Sequence, residues 1–133
     1  MKDQIMADTD MTGTKAQSIL IVDDEEIIRD LLAEVLEDYT VSLAADGREA
    51  IDILKERKFD LVITDLRMPN VPGEEVVRYA RETYPDIGVI VISAYSSLHT
   101  VSQSITNGAC AFLSKPFSIK ELMQTVETAL DEA

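Results

Sequence analysis

The sequence predicts an α/β fold in which a doubly wound, five-stranded parallel sheet carries helices on both faces. Short apolar runs alternate five times with longer segments whose apolar residues recur at helical spacing. Most of the short runs are continuous rather than alternating, which is typical of strands buried on both faces. Such strands need crossover helices above and below the sheet, and the helical segments supply them.

Length and charge limit the functions that this chain can have. Its 133 residues predict one domain, with residues 18–133 folded and residues 1–17 forming a flexible, polar N-terminal extension without the apolar segment of a signal peptide. The net charge of −13 argues against binding to nucleic acid or to an anionic membrane. No run approaches the roughly 20 apolar residues that span a bilayer. A single cysteine, Cys110, excludes an internal disulfide, so we expect a cytoplasmic protein.

Five apolar segments are predicted as strands. They are residues 18–22, 39–44, 59–64, 87–92 and 109–113. All except the second are continuous apolar runs, whereas the second alternates like a strand with one face in water. Four of the strands stop at polar residues, and the second ends in alanines, which offer no reactive group.

The intervening segments are predicted as amphipathic helices. Asp46 with Glu49, and Ser118 with Glu121, match the capping-box pattern at the start of the second and fifth helices. The fourth helix, about residues 97–107, is a weak one that Gly108 would cap. The first helix repeats apolar residues from Ile27 to Leu36. The other residues expected to face the core are Ala50, Ile53 and Leu54, then Val76, Val77 and Ala80, then Ile119, Leu122, Val126 and Leu130.

The strand ends carry the candidate functional residues, because ligands bind at the carboxyl ends of strands in open parallel sheets. Reading only those ends yields Asp23 and Asp24, then Asp65, Ser93 and Lys115. If the first and third strands are neighbours, three mutually repelling carboxylates converge there, and a hard cation would compensate them. Mg²⁺ suits such oxygen ligands, and the absence of nearby histidine and cysteine disfavours zinc and copper.

These groups together suit phosphoryl transfer to a carboxylate. Asp65 would attack phosphorus and become an acyl phosphate. Asp24, with Asp23 partly through water, would hold the metal. Lys115 and the Ser93 hydroxyl would each contact a phosphoryl oxygen.

Helix capping is the competing interpretation of three aspartates. Asp23, Asp24 and Asp46 each stand before a predicted helix, where acidic side chains are stabilising. We prefer capping for Asp46, and for Asp24 both roles are compatible. Asp65 follows a buried strand and precedes a Pro-containing loop rather than a helix, which favours a functional role.

Four motifs stand at these strand ends in a fixed order. They are Ile21-Val22-Asp23-Asp24, Asp65-Leu66-Arg67-Met68-Pro69 with Gly73, Ser93-Ala94, and Gly108-Ala109 through Phe112-Leu113-Ser114-Lys115-Pro116-Phe117. In order and spacing the chain from Ser18 onward resembles the receiver domains of bacterial two-component response regulators. The resemblance implies a flavodoxin-like (βα)₅ fold with strand order 2-1-3-4-5. It also implies a signalling module rather than a turnover enzyme, in which Asp65 accepts phosphate from the phosphohistidine of a histidine kinase or histidine phosphotransfer protein.

The same resemblance assigns further roles. It implies that the backbone carbonyl of Arg67 joins Asp23, Asp24 and Asp65 around Mg²⁺. Ser93 and Phe112 occupy the positions of a switch, in which the hydroxyl moves toward the phosphate and the aromatic ring rotates into the vacated space. Simple core packing is the alternative for Phe112.

The resemblance implies that the switch acts on the surface formed by the fourth helix, fifth strand and fifth helix, where partners are expected to bind and a homodimer could also form. The fourth helix, composed of mediocre helix formers, should be the helix least protected from hydrogen exchange. Arg67 and Tyr95 occupy positions that tune acyl-phosphate hydrolysis in the family. Because both are bulky, we expect them to restrict water and lengthen the lifetime of the phosphate. His99 is interpreted as a solvated surface residue and Cys110 as a buried, unreactive thiol.

Two other functions compete with this interpretation. A Mg²⁺-dependent phosphatase of the haloacid-dehalogenase type also uses a strand-end aspartate, but it needs a second acid where this chain has Arg67. A flavodoxin would need a phosphate cradle after the first strand. The acidic run Asp23-Asp24-Glu25-Glu26 would repel a phosphate at that position.

Overall fold

Strands and helices alternate throughout the part of the chain that the computed structural model describes, residues 17–132. The strands are β1 (Ser18–Val22), β2 (Thr40–Ala44), β3 (Leu61–Thr64), β4 (Gly88–Ser93) and β5 (Ala111–Ser114). The helices are α1 (Glu26–Val35), α2 (Gly47–Glu56), α3 (Gly73–Thr83), α4 (Leu98–Thr106) and α5 (Ile119–Glu132). The predicted flexible extension, residues 1–17, lies outside the described residues except for Gln17.

The five strands form one parallel sheet in the order β2-β1-β3-β4-β5. The prediction of a doubly wound α/β fold is therefore confirmed, and so is the strand order. The register places Val22 beside Thr64 and Ser93 beside Ser114. Because all strands run in one direction, the residues that follow β1, β3, β4 and β5 meet at the same edge of the sheet.

Two apolar layers cover the faces of the sheet. Successive residues of a strand point to opposite faces, so Leu20 packs in one layer and Ile21 in the other. The first layer includes residues of α2 and α3, and the second includes residues of α1 and α5. Helix α4, which is described over its whole length, contributes no residue to either layer. Its one buried residue is the polar Ser104.

Helix ends agree with the sequence at several positions. Asp46 Oδ1 accepts a hydrogen bond from Glu49 N at 2.8 Å. Ser118 and Glu121 exchange two backbone-to-side-chain bonds of 3.0 Å, as the capping box requires. Gly108 follows α4 with φ of 118°, the left-handed conformation that favours glycine at a helix C-terminus. The α1 N-cap, however, is Glu25 rather than Asp24, and it makes no side-chain capping bond.

Strand boundaries differ from the predictions by one or two residues. Hydrophobicity marks burial, whereas a strand begins only where its backbone pairs with a neighbour. Phe59 is buried, yet β3 begins at Leu61, the first residue that aligns with Ile19 and Gly88. For the same reason β5 begins at Ala111 rather than at residue 109.

The burial predictions are wrong for Cys110, for Ile119 and, in α1, for Ile27 and Leu31, which are 81% and 40% exposed. Cys110 is exposed, because it lies at the start of an edge strand, which has a neighbouring strand on only one side. Ile119, expected to face the core, is 56% exposed because it begins α5 beyond the end of the sheet. Leu122, Val126 and Leu130 are buried as predicted. None of the helices within residues 17–132 has the length and apolar character needed to cross a bilayer.

Candidate functional site at the carboxyl ends of the strands

Three carboxylates lie together where β1 and β3 end. Asp23, Asp24 and Asp65 each place one oxygen within 4.8 Å of the others. Asp23 and Asp65 are buried, with 2% and 7% of their surface exposed, whereas Asp24 is exposed. This convergence was expected from the sequence on the condition that β1 and β3 are neighbours, which they are.

Asp23 is held from several sides. Its Oδ1 accepts a hydrogen bond from Glu25 N at 2.8 Å, and its backbone oxygen accepts one from Arg29 Nη1 at 2.7 Å. Burial raises the pKa of Asp23 above its ordinary value of 3.8. The charge of Asp65 adds to the rise, and the hydrogen bond from Glu25 with the nearby Lys115 offsets only part of it. Keeping Asp23 ionised in this position therefore costs free energy.

Asp65 is oriented by the backbone that follows it. Its Oδ1 accepts hydrogen bonds from Leu66 N at 2.6 Å and Arg67 N at 3.3 Å. Gly73 N donates to Leu66 O at 2.9 Å, which ties the start of α3 to the same loop. A Cβ at Gly73 would lie 1.9 Å from the Asp65 carbonyl oxygen, so only glycine permits this close approach.

Lys115 supplies the cation of the site from the loop after β5. Its Nζ lies 3.0 Å from Asp65 Oδ2, 3.3 Å from Asp23 Oδ2 and 3.5 Å from Glu25 Oε1. Burial alone would lower the pKa of Lys115, but its hydrogen bonds to Asp65 and Asp23 and their charges outweigh burial and raise that pKa. The side chain of Lys115 is therefore a cation held in one position. Sequence reasoning missed the Glu25 contact, although the acidic run after β1 could have pointed to it.

Ser93 ends β4 between the strands that carry Asp65 and Lys115. It is fully buried, and its Oγ accepts a hydrogen bond from Tyr95 N at 3.0 Å. No hydrogen bond donated by this hydroxyl is found among residues 17–132, so its proton is available to an acceptor at the site. Phe112 aligns with Val91, lies half-buried and packs against the first apolar layer.

An exposed pair joins the loops after β3 and β4. Arg67 Cζ lies 3.9 Å from the centroid of the Tyr95 ring, a cation–π arrangement. The sequence marked both residues as bulky but did not predict that they stack. His99 is exposed, as expected, and lines a cavity of about 170 Å³ together with Arg67 and Glu74.

An apolar groove of about 410 Å³ lies beside Lys115. Two residues of α1, Ile28 and Leu31, form one wall, and the loops after β4 and β5 complete it through Ala94, Pro116 and Phe117. Ile27, on the same helix, is 81% exposed and Leu31 is 40% exposed. The groove therefore offers unburied apolar surface directly beside the charged site.

The donor set of the acidic cluster fits a hard divalent cation. Its three side chains offer oxygen atoms only, with no histidine or cysteine in the group. Two of the carboxylates are buried, so their repulsion is poorly screened, and one ammonium group cannot neutralise three anions. The cluster could therefore bind a metal ion.

This sheet order, with carboxylates, a hydroxyl and a lysine at its carboxyl edge, defines the receiver class of α/β domains. The model of the response regulator receiver domain family matches residues 19–127, and the chain belongs to that family. It is thus a phosphoacceptor module of two-component phosphorelay signalling.

Comparison with individual proteins supports this assignment. Sporulation initiation phosphotransferase F of Bacillus subtilis is 37% identical over 116 residues, covering 86% of this chain and 94% of that protein. Response regulator protein PilR of Pseudomonas aeruginosa is 40% identical over 116 residues, but the chain spans only 26% of its length. The crystal structure of a CheY-like receiver domain protein from Methanospirillum hungatei superposes with a TM-score of 0.84 at 30% identity, covering 89% of this chain and 96% of that one.

Proposed function

We propose that Asp65 is the phosphoacceptor of this receiver domain. In this proposal Asp23, Asp24, Asp65 and the backbone carbonyl of Arg67 hold Mg²⁺. The observation that carries the proposal is the position of Lys115 Nζ, 3.0 Å from Asp65 Oδ2 at the edge of the acidic cluster. Asp65 is the member of the cluster with both a close ammonium partner and two backbone donors on its other oxygen.

The transfer step follows from these contacts. One carboxylate oxygen of Asp65 attacks the phosphorus of a phosphohistidine. A P–O bond forms as the P–N bond breaks, and the imidazole ring leaves with the electron pair of that bond and takes up a proton from water. The amides of Leu66 and Arg67 keep the attacking carboxylate in one orientation.

Charge on the transferred group is compensated by side chains already in place. Lys115 and the Ser93 hydroxyl each donate to a phosphoryl oxygen in this proposal. Bound Mg²⁺ would supply the remaining positive charge needed to bring an anionic donor to three carboxylates. The phosphoryl group is transferred to Asp65 of the domain itself, so the domain acts as a signalling module rather than as a turnover enzyme. A cytoplasmic location is part of the proposal, and the single cysteine fits it.

The partner that we propose is a histidine kinase or a histidine phosphotransfer protein. Its phosphohistidine must come within bonding distance of Asp65, and so its surface must cover the rim around Lys115. The apolar groove lined by Ile28, Leu31 and Phe117 lies at that rim. We therefore propose that this partner docks in the groove.

Phosphorylation would be transmitted through Ser93 and Phe112. Ser93 is buried with its proton free among the described residues, and Phe112 is only half-buried, so both can respond to a new anion. The responding surface is α4, β5 and α5, where Leu98 is 83% exposed and Ile105 is 48% exposed. A homodimer would use these unburied apolar side chains.

Intact mass spectrometry tests the acceptor assignment. The wild-type chain treated with acetyl phosphate and Mg²⁺ should gain one phosphoryl group, and Asp65→Asn should gain none. Asp46→Asn is the matched control, because asparagine also caps helices and Asp46 lies outside the acidic cluster. Equal modification of wild type and Asp65→Asn would remove Asp65 from its proposed role.

A further inference from the structure

Among residues 17–132, Lys115 has one carboxylate partner outside the acidic cluster. Asp65 and Asp23 belong to the cluster and are buried, whereas Glu25 does not belong to it and its side chain is 63% exposed. Glu25 Oε1 nevertheless lies 3.5 Å from Lys115 Nζ. The ammonium group therefore lies between two buried anions and one anion at the rim of the site.

Lys115 and a divalent cation would compete for the same oxygens. Lys115 contacts Oδ2 of both Asp23 and Asp65, and in the proposed function these two residues also hold Mg²⁺. Two cations a few ångströms apart in a buried site repel strongly. If the ammonium group of Lys115 moves away from Asp23 and Asp65, it loses both of these ion pairs unless another carboxylate accepts it.

We propose that Glu25 is a positioning residue that receives the Lys115 ammonium group when Asp23 and Asp65 bind a divalent cation. The inference rests on the metal site of the proposed function and extends it to a residue outside that site. Lys115 keeps one ion pair throughout, and it stays at the rim, where a phosphoryl oxygen of Asp65 would meet it. Glu25 thereby favours cation binding without contacting the cation.

The backbone of Glu25 fits this role. Glu25 is the N-cap of α1 in extended conformation, and its side chain makes no capping bond, so the carboxylate is free to face Lys115. Its own N–H donates to Asp23 Oδ1 at 2.8 Å, which fixes Glu25 relative to the cluster. Glu26, the next residue, is exposed, and among residues 17–132 it forms no ion pair or hydrogen bond with Lys115.

Titration calorimetry of the whole chain with MgCl₂ tests the proposal. Glu25→Gln should weaken Mg²⁺ binding about threefold, the scale of one partly exposed ion pair. Glu26→Gln removes the same charge one residue further on and should change the affinity by much less. Equal affinities of Glu25→Gln and wild type would overturn the proposal, and so would equal losses in Glu25→Gln and Glu26→Gln.

A double-mutant cycle separates a lysine-mediated effect from simple attraction of the cation by Glu25. In a Lys115→Met background, Glu25→Gln should change Mg²⁺ affinity no more than Glu26→Gln does, because the ammonium group that Glu25 receives is gone. An undiminished threefold loss in that background would overturn the proposal. Wild-type protein that binds no Mg²⁺ would instead refute the metal site of the proposed function, so the two failures are distinguishable.

Discussion

Lys115 Nζ lies 3.0 Å from Asp65 Oδ2, although β4 separates the two strands that these residues follow. The lysine side chain spans the end of β4, which Ser93 closes. One ion pair therefore connects the loops after β3 and β5 across the end of β4. Any change of charge at Asp65 acts directly on the β5–α5 loop, and it does so beside the buried hydroxyl of Ser93.

Replacing Asp23 by asparagine should stabilise the metal-free fold. Burial raises the pKa of Asp23, so its ionised form destabilises the native state at neutral pH. We expect Asp23→Asn to raise the free energy of unfolding in EDTA by on the order of 1 kcal/mol at pH 7. Urea unfolding followed by circular dichroism measures the difference.

The pH dependence of that difference has a defined sign. Because the pKa of Asp23 is higher in the native state than in the unfolded chain, the native state binds the proton more tightly. The stabilisation by this proton is fully present below about pH 3.8, the ordinary pKa, and is lost as pH rises through the native pKa. The advantage of Asp23→Asn should therefore shrink as pH falls toward 3.8. A pH-independent advantage of Asp23→Asn would contradict the explanation.

Arg67 and Tyr95 should prolong the life of the acyl phosphate. Their side chains stack beside the site, with 3.9 Å between Arg67 Cζ and the centroid of the Tyr95 ring. We expect this stack to restrict the access of water to the acyl phosphate. We expect Tyr95→Ala and Arg67→Ala each to shorten the dephosphorylation half-life by about fivefold, a barrier change near 1 kcal/mol. The double variant should add little, because each single change already breaks the stack.

Loss of phosphate from the phosphorylated protein, followed by mass spectrometry, measures these lifetimes. His99→Ala is the control, since His99 is exposed nearby and is not part of the stack. Half-lives of Tyr95→Ala and Arg67→Ala close to that of wild type would show that the pair does not control water access.

Helix α4 should exchange its amide hydrogens faster than the other helices. Its one buried side chain is Ser104, whose hydroxyl donates to Thr100 O within the same helix. Its apolar residues Leu98 and Ile105 face solvent instead. Helix α5 buries Leu122, Val126, Ala129 and Leu130.

Because opening of α4 exposes little apolar surface, we expect protection factors at least about tenfold lower than those of α5. Hydrogen exchange followed by NMR gives both values in one experiment. Amides of α4 that exchange as slowly as those of α5 would contradict this expectation.

The apolar groove should affect the rate of phosphotransfer from a protein phosphodonor but not from a small-molecule donor. Leu31→Asp places a charge in the groove, so we expect phosphotransfer from an autophosphorylated histidine kinase to fall about tenfold or more, while modification by acetyl phosphate is unchanged. Leu43→Asp is the control, because Leu43 is exposed to a similar extent, 39% against 40%, but lies on edge strand β2. Equal losses in both variants, or no loss in Leu31→Asp, would place the docking surface elsewhere.

Much of the site was predictable because strand ends are local features. The sequence shows five apolar runs, and polar residues stop four of them. Because parallel strands end at one edge of a sheet, this pattern predicted that the polar residues at the strand ends lie close to one another. They are Asp23, Asp24, Asp65, Ser93 and Lys115. The helix caps at Asp46 and Ser118 were predictable for the same reason, since the residues whose amides they accept from stand three positions away.

Only the tertiary structure decided which carboxylates are buried and where long side chains point. Nothing in the sequence distinguishes buried Asp23 from exposed Asp24, or shows that Lys115 reaches Glu25. The exposure of Cys110 and Ile119 likewise depends on which elements cover an edge strand and a helix start. The periodicity of apolar residues indicates the face of a helix or strand on which a residue lies. These contacts depend instead on how loops distant in the sequence approach one another, and local sequence does not determine that approach.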